Sequence, residues 1–542
     1  MANHVFSLAP TINAPRSTFK RPFQLKTTMD TDYLYPIYCD EVLPADTCKM
    51  KFSFFGRLST PLVPIMDRLF LDVFFFFVPN RLIDKDWKKL QGERPFGDLD
   101  VPVTAPKLNS GESGVAVGSL SDYIGIPVNV PNLDFLPYWH RAYNLIWNEW
   151  FRPEYICPAV KVAGLAEDGT QSEESLDDYV LLKRGKRLDY FTGANPFPQV
   201  GESVSVPLGT TAPVSGNGLS LGLTDGATNY SLAGTGGNFS VGIASASYGS
   251  SAGSLGSLYA NSTVTLGVTT DAAKSGLVAD LTNASAITIN SLRNAIASQH
   301  YLEALARSGS RYIEILRGIF NVVSPDARLQ RPEYLGGCSV PMDITTVPQT
   351  SSTDATSPQG NLAAFGTVSA EGFWSRSFTE HGVILGLANV RADLSYQQGL
   401  PRMFSRSTRF DWYLPQFANV GEQAILNKEI YAQGKSVLDA SNQIVDDDVF
   451  GYQEAWSEYR YHSHQITGKF RSGISGGSLD YWHLAQYFEE LPTLSPDFVL
   501  ENVPIDRALA VQDEPAIILA GAFDSTWSRP MPLYSVPGMS RL

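Results

Sequence analysis

The chain has little cysteine, little histidine and no long apolar run, and each shortage removes a class of protein. Its 542 residues include four cysteines, Cys39, Cys48, Cys157 and Cys338, none in a CxxC pair. That is too few for a disulfide framework at this length, so a reduced, cytosolic site of synthesis is expected. Seven histidines are scattered through the sequence. His462 and His464 would share one face of a strand, but no third His or Cys lies near them to complete a metal site, and no metal or other cofactor is expected. The most apolar segment, Val73 to Val78, is bounded by Asp72 and Pro79. A membrane span needs about 20 apolar residues, so membrane insertion is not expected. The opening MANHVFSLAPTINAPR lacks a charged segment followed by an apolar one and does not read as a secretory signal. Cations are outnumbered, with 41 Lys and Arg against 55 Asp and Glu for a formal net charge of −14. Phosphate binding needs concentrated Lys and Arg, so any nucleic-acid contact must be local.

What the sequence does have is aromatic mass and punctuation. Its 29 Phe, 24 Tyr and 9 Trp suffice for a large core. The 45 Gly and 34 Pro interrupt it too often for long helices, and the β-branched and aromatic runs between them predict a mainly β fold. Met50, Phe52 and Phe54 alternate with Lys49, Lys51 and Ser53, the pattern of a half-buried strand. Leu69 to Val78 is apolar on both parities except at Asp72, which predicts a strand covered on both faces. Residues 1–30 form a basic, proline-punctuated segment read as an extended arm rather than a packed element. The body then runs over 30–200. Residues 201–290 are dominated by Gly, Ser, Thr and Ala and read as a module inserted into a host domain. An amphipathic helix is expected over 291–324, with Leu302, Leu305, Gly309, Ile313, Leu316 and Phe320 in one stripe. The body resumes over 325–542. A shorter helical pattern places Trp139, Tyr143, Ile146 and Trp150 on one face, as core.

No motif carries catalytic chemistry. Gly434-Lys435-Ser436 resembles the end of a phosphate-binding loop, but the glycine needed five positions earlier is Glu429. The GxSxG matches at Gly249–Gly253 and Gly473–Gly477 lack the strand-then-helix setting of a nucleophile elbow. Asp446, Asp447 and Asp448 are read as a solvated acidic loop rather than a cation site. Sequons at Asn229, Asn238, Asn261 and Asn283 follow from composition. Two basic clusters remain as candidate DNA-facing residues. One is Arg16, Lys20, Arg21 and Lys26 on the arm, with Phe19 and Phe23 between them. The other is Lys183, Arg184, Lys186 and Arg187, with Tyr190 and Phe191 adjacent as stacking surfaces. An arm that only clamps a neighbour and a basic turn that is merely exposed are the competing readings.

Long phrases add a resemblance that short motifs do not. PIMDRLFLDVFFFFVPNR from Pro64, RAYNLIWNEWFR from Arg141, LLKRGKRLDYFT from Leu181, SPDARLQRPEYLGG from Ser324 and FTEHGVILGLANVRADLSYQQGLPRMFSR from Phe378 resemble, in order, gokushovirus major capsid proteins of the Microviridae. QGNLAAFGT from Gln359, GYQEAWSEYRY from Gly451 and RPMPLYSVPG from Arg529 continue the series. The resemblance implies an eight-stranded antiparallel jelly roll with long inserted loops and a few helices. It implies a T=1 icosahedral shell of sixty copies around circular single-stranded DNA, assembled in the host bacterial cytoplasm, with 201–290 as a three-fold protrusion for host attachment. The partners implied are other copies of the chain, the genome, a small basic DNA-packaging protein and a host cell-surface receptor. The competing expectation is a β-sandwich that binds or cleaves carbohydrate, which for cleavage needs two carboxylates facing across a cleft.

Overall fold

The computed structural model describes residues 15–93, 103–204, 289–351, 359–512 and 514–534, with the backbone of short strands between 214 and 279. The chain forms two compact units, Gly201–Leu302 and the remainder, Met1–Val200 with Glu303–Leu542.

Among the described residues, the two main sheets of the larger unit use nine strands. These are β1 (Ser17–Met29), β2 (Tyr35–Val42), β3 (Thr47–Leu58), β4 (Leu69–Pro79), β5 (Glu333–Pro341), β6 (Asp343–Pro348), β7 (Leu362–Ser377), β8 (Gly382–Ala392) and β9 (Ile517–Arg529). They make a five-stranded sheet in the order β1-β9-β3-β7-β6 and a four-stranded sheet in the order β5-β4-β8-β2. All the pairings are antiparallel, and both sheets take strands from either side of the 201–302 unit.

The two sheets meet face to face through aromatic rings. Phe75 on β4 lies 4.8 Å from Phe52 on β3 and 6.4 Å from Phe523 on β9. The alternation read in the sequence places Met50, Phe52 and Phe54 in this core and Lys49 and Lys51 in solvent. β4 is covered on both faces, as its composition predicts. Val73, Phe75 and Phe77 join the inter-sheet core, while Phe76 and Val78 join a second cluster built on Tyr143, Ile146 and Trp147. Those residues come from α1 (Tyr138–Ile146) and the π-helical turn that extends it through Trp147–Phe151. Tyr143 is fixed inside by its hydroxyl, which donates to Leu34 O at 2.8 Å and accepts from Leu182 N at 2.9 Å. Each large ring buried this fully contributes about 1.5–3 kcal/mol relative to exposure.

Two expectations change. The stripe from Leu302 to Phe320 is not one helix but two, α2 (Ile289–Ser308) and α3 (Tyr312–Phe320). Gly309 separates them at φ +102°, a left-handed conformation that a continuing helix cannot adopt. The arm expected to be unpacked is instead β1, hydrogen-bonded to β9 from Ser17↔Arg529 to Met29↔Ile517. Pro22 fits there because an edge strand leaves one row of backbone groups unpaired.

The smaller unit contains short antiparallel pairs. Val214–Gly216 pairs with Leu277–Ala279, and Asn229–Thr235 pairs with both Gly222–Thr224 and Asn238–Val241. Asn229 and Asn238 head two of these strands, whereas Asn261, Asn283 and Gly249–Gly253 lie outside the described residues.

Candidate nucleic-acid interface

Strand pairing decides what the arm cations can reach. Successive side chains of β1 point to opposite faces of the sheet. Lys20 and Lys26 fall on the solvent face and are exposed. Arg21 falls on the opposite side, where it pairs with Asp40 at 2.8 Å and lies over the Trp527 ring at 5.5 Å. Arg16, just ahead of the strand, donates to Ala45 O at 2.6 Å and Thr47 Oγ1 at 2.8 Å. Phe23 packs against Phe523 at 5.6 Å and Tyr38 at 6.1 Å, so it belongs to the rim of the core rather than beside Lys20 and Lys26. The structure therefore separates the arm residues that the sequence groups together.

The second cluster turns inward. Gly185 N donates to Phe151 O at 3.2 Å, and a Cβ at Gly185 would sit 2.7 Å from that oxygen, so the turn requires glycine. This close approach carries Arg184 to Asp72, at 2.5 Å, with its guanidinium 5.0 Å from the Phe74 ring. Arg391 of β8 reaches the same Asp72 oxygen at 2.5 Å. Asp72 is 2% exposed. Burial alone would raise its pKa, but hydrogen bonds from Arg391 and Ser339, with the charge of Arg184, outweigh that and hold the carboxyl below its ordinary range. Lys186 is also buried, 5.1 Å from the Phe498 ring, and desolvation pulls its pKa down against the attraction of Glu501, Asp189 and Asp32. Lys183 sits over the Tyr33 ring at 5.4 Å and reaches Asp32 at 4.0 Å. Arg187 is the most exposed of the four and pairs with Asp393 at 3.4 Å.

The rings expected to stack on bases are core. Tyr190 and Phe191 are both buried; Tyr190 donates to Glu429 Oε2 at 2.9 Å and Phe191 packs on Tyr396 at 5.0 Å. Beside this turn lies an open cleft of about 400 Å³ lined by Phe74, Phe76, Trp150, Phe151, Arg184 and Tyr334, among others.

The remaining motifs resolve as structure. Gln433 N and Gly434 N both donate to the Asp446 carboxylate at 2.8 Å, so the amides at the start of the Gly434-Lys435-Ser436 turn serve an acid rather than a phosphate. Asp447 pairs with Lys428 at 2.6 Å. Gly473, Gly476 and Gly477 all have positive φ, which makes an irregular turn and not a strand-to-helix elbow. His462 and His464 are exposed, and no group of three metal-ligating side chains occurs among the described residues. The four cysteines are unpaired. Glu154 and Glu314 do face each other, but they share Arg311 in a packed contact rather than flanking a cleft. What sequence reasoning missed is the set of buried acids, Asp32, Asp72 and Glu501, that faces the Lys183–Arg187 turn. The one signal was Asp72, the single polar residue in an otherwise apolar strand.

Comparison with known proteins accounts for the whole chain. The model of the family described as "Capsid protein (F protein)" matches residues 7–539. "Capsid protein VP1" of Bdellovibrio phage phiMH2K is 42% identical, covering 98% of this chain and 97% of that protein. "Capsid protein VP1" of Chlamydia phage 1 is 41% identical over 99% and 98% of the two chains. That of Spiroplasma virus 4 is 35% identical over 99% and 98%.

Proposed function

The chain belongs to the capsid protein (F protein) family of phages, with a structural role in the virion and no enzymatic one, and from this premise we propose a specific shell. Copies of it close into a T=1 icosahedral particle of sixty subunits around circular single-stranded DNA, assembled in the host bacterial cytoplasm. The observation that carries this reading is coverage: relatives named as capsid proteins align over 98–99% of the chain. The strand order supports the jelly-roll form of the subunit. With the short β6 set aside, two four-stranded sheets remain, β1-β9-β3-β7 and β5-β4-β8-β2. Chain order then alternates between the sheets except where β4 passes to β5, as a double Greek key does. Purified particles viewed by electron microscopy should be closed and isometric, with a mass of sixty subunits plus genome. Open sheets, or a mass that does not fit sixty copies, would refute the symmetry.

The unit at 201–302 supports a second element of the proposal, a protrusion that touches a host cell-surface receptor. Its composition has few charges, and it forms a compact body of its own. Deleting residues 201–290 should leave particles that assemble but adsorb poorly to the host. Normal adsorption by the deleted particle would remove the attachment role.

Charge shapes the partners. A subunit of net charge −14 does not neutralise a genome in bulk, so a small basic DNA-packaging protein inside the shell forms part of the proposal. Among the proposed DNA-facing residues, exposure and lack of an ion-pair partner among the described residues favour Lys20 and Lys26. Arg16, Arg21, Lys183, Arg184, Lys186 and Arg187 each hold contacts inside the subunit that DNA would have to share or displace.

A further inference from the structure

Lys20 and Lys26 are not alone on their face of the five-stranded sheet. Pairing registers extend it strand by strand. Lys20 lies opposite Thr526, which lies opposite Lys49; Lys26 lies opposite Ala520, which lies opposite Phe55. In the rows between and beyond, Asp524 faces Lys51 and then Phe373, and Ile518 faces Arg57. The alternation of burial along β1, β3, β7 and β9 confirms that all these side chains share the solvent side. This face therefore presents five cations, Lys20, Lys26, Lys49, Lys51 and Arg57, against the carboxylates Asp524, Glu371 and Asp343. The local sign is opposite to that of the whole chain. None of the five cations has an ion-pair partner among the described residues. Three exposed phenylalanine rings share this face, Phe55 at 56%, Phe373 at 64% and Phe365 at 37% exposure, the first two nearest the lysines.

We propose that this face is where single-stranded nucleic acid lies on the subunit, with phosphates on the five cations and bases on Phe55 and Phe373. The proposal rests on the reading of the chain as a shell around single-stranded DNA, and it names the surface involved. Three physical arguments select that occupant. A small basic protein would be repelled by the excess of cations. A second copy of the chain would call for an interface core that is apolar and depleted in Lys, whereas here Lys51 lies opposite Phe373 and Ser53 and Glu371 stand between the two rings. Cations spaced along a strand by about 7 Å and across alternate strands by about 10 Å offer repeated phosphate contacts. Exposed rings between them supply sequence-tolerant stacking, the combination used by proteins that bind unpaired strands.

Ultraviolet cross-linking of intact, genome-filled particles tests the face without any substitution. Nucleotide adducts are expected on peptides containing Phe55 and Phe373. A second arm compares particles assembled from K49Q/K51Q/R57Q subunits, all exposed positions, which should form normally but hold less DNA. Genome-filled particles whose adducts lie only elsewhere overturn this face and leave the shell reading intact. Particles that never contain single-stranded DNA overturn the shell reading itself. Triple-variant particles that fail to assemble, while wild-type particles give no adducts on these peptides, would identify the face as a contact between copies and end the proposal.

Discussion

Replacing Asp72 by Ala should destabilise the protein by about 3–5 kcal/mol, the loss expected when one partner of a buried ion cluster is removed. The reason is what remains. Arg391 is 4% exposed, and both it and Arg184 bond the same Asp72 oxygen at 2.5 Å. Without the carboxylate, two guanidinium groups stay in the wall between β4, β8 and the Lys183–Arg187 turn with no compensating charge. A triple variant, D72L/R184M/R391M, should recover most of the loss, because apolar groups of similar volume replace charges that are expensive to desolvate. Denaturant midpoints of the purified protein would read both effects. A loss below about 1 kcal/mol for Asp72→Ala would show that the cluster is solvated and that its geometry does not support the fold. The carboxyl is held below its ordinary value, so its stabilisation is present above that value and disappears as pH falls through the folded pKa.

Asp72 also marks where sequence reading reached its limit. β4 was legible because an apolar run on both parities, closed by Pro79, has few solutions other than a strand covered twice. β3 was legible because its alternation is local. The helical stripe over 302–320 was real in its periodicity, and only the positive φ of Gly309 divides it. A glycine inside a helical pattern is ambiguous until its backbone angle is known. β1 was misread because Pro15, Pro22 and a run of cations have the composition of an arm. Its partner β9 lies at the other end of the chain, and nothing local to residues 17–29 announces that pairing. The same distance hid the chemistry of Lys183–Arg187. Its charges were visible, but Asp32, Asp72 and Asp393, which pair with it, are remote in sequence and meet it only in the folded unit. The solvent face of the five-stranded sheet needed even more, since the registers of four strands bring Lys20, Lys49 and Phe373 onto one surface. The family resemblance reached function because it rests on phrases along the entire chain, which physical pattern alone does not interpret.

Between about pH 5 and pH 7 this protein should lose stability as pH rises, and Glu501 should be a principal cause. Glu501 is 1% exposed, and its Oε2 has no hydrogen-bond partner among the described residues. Burial is the main reason its pKa is pushed up from an ordinary 4.5 to about 7, and the nearby Asp32 carboxylate adds to it. Lys186, Arg184 and Arg391 pull the other way without compensating. Asp32 is itself raised by burial. The folded protein therefore holds a proton on Glu501 across a pH range in which the unfolded chain has released it. Stability from this group is full below the unfolded value and falls as pH climbs toward the folded one, the opposite of the Asp72 case. A displacement of this size corresponds to about 3 kcal/mol. Glu501→Gln, which copies the protonated form, should stabilise the protein by up to that amount near pH 8 and change little near pH 5. Melting curves of wild type and variant at the two pH values would show it as a gap that opens with pH. Glu314 is likewise raised by burial and by Glu154, while its partner Glu154 is lowered, so E501Q should flatten the profile in part. If E501Q destabilises the protein equally at both pH values, the residue is an ionised partner of Lys186 and Arg184, and the protonated state assigned to it is wrong.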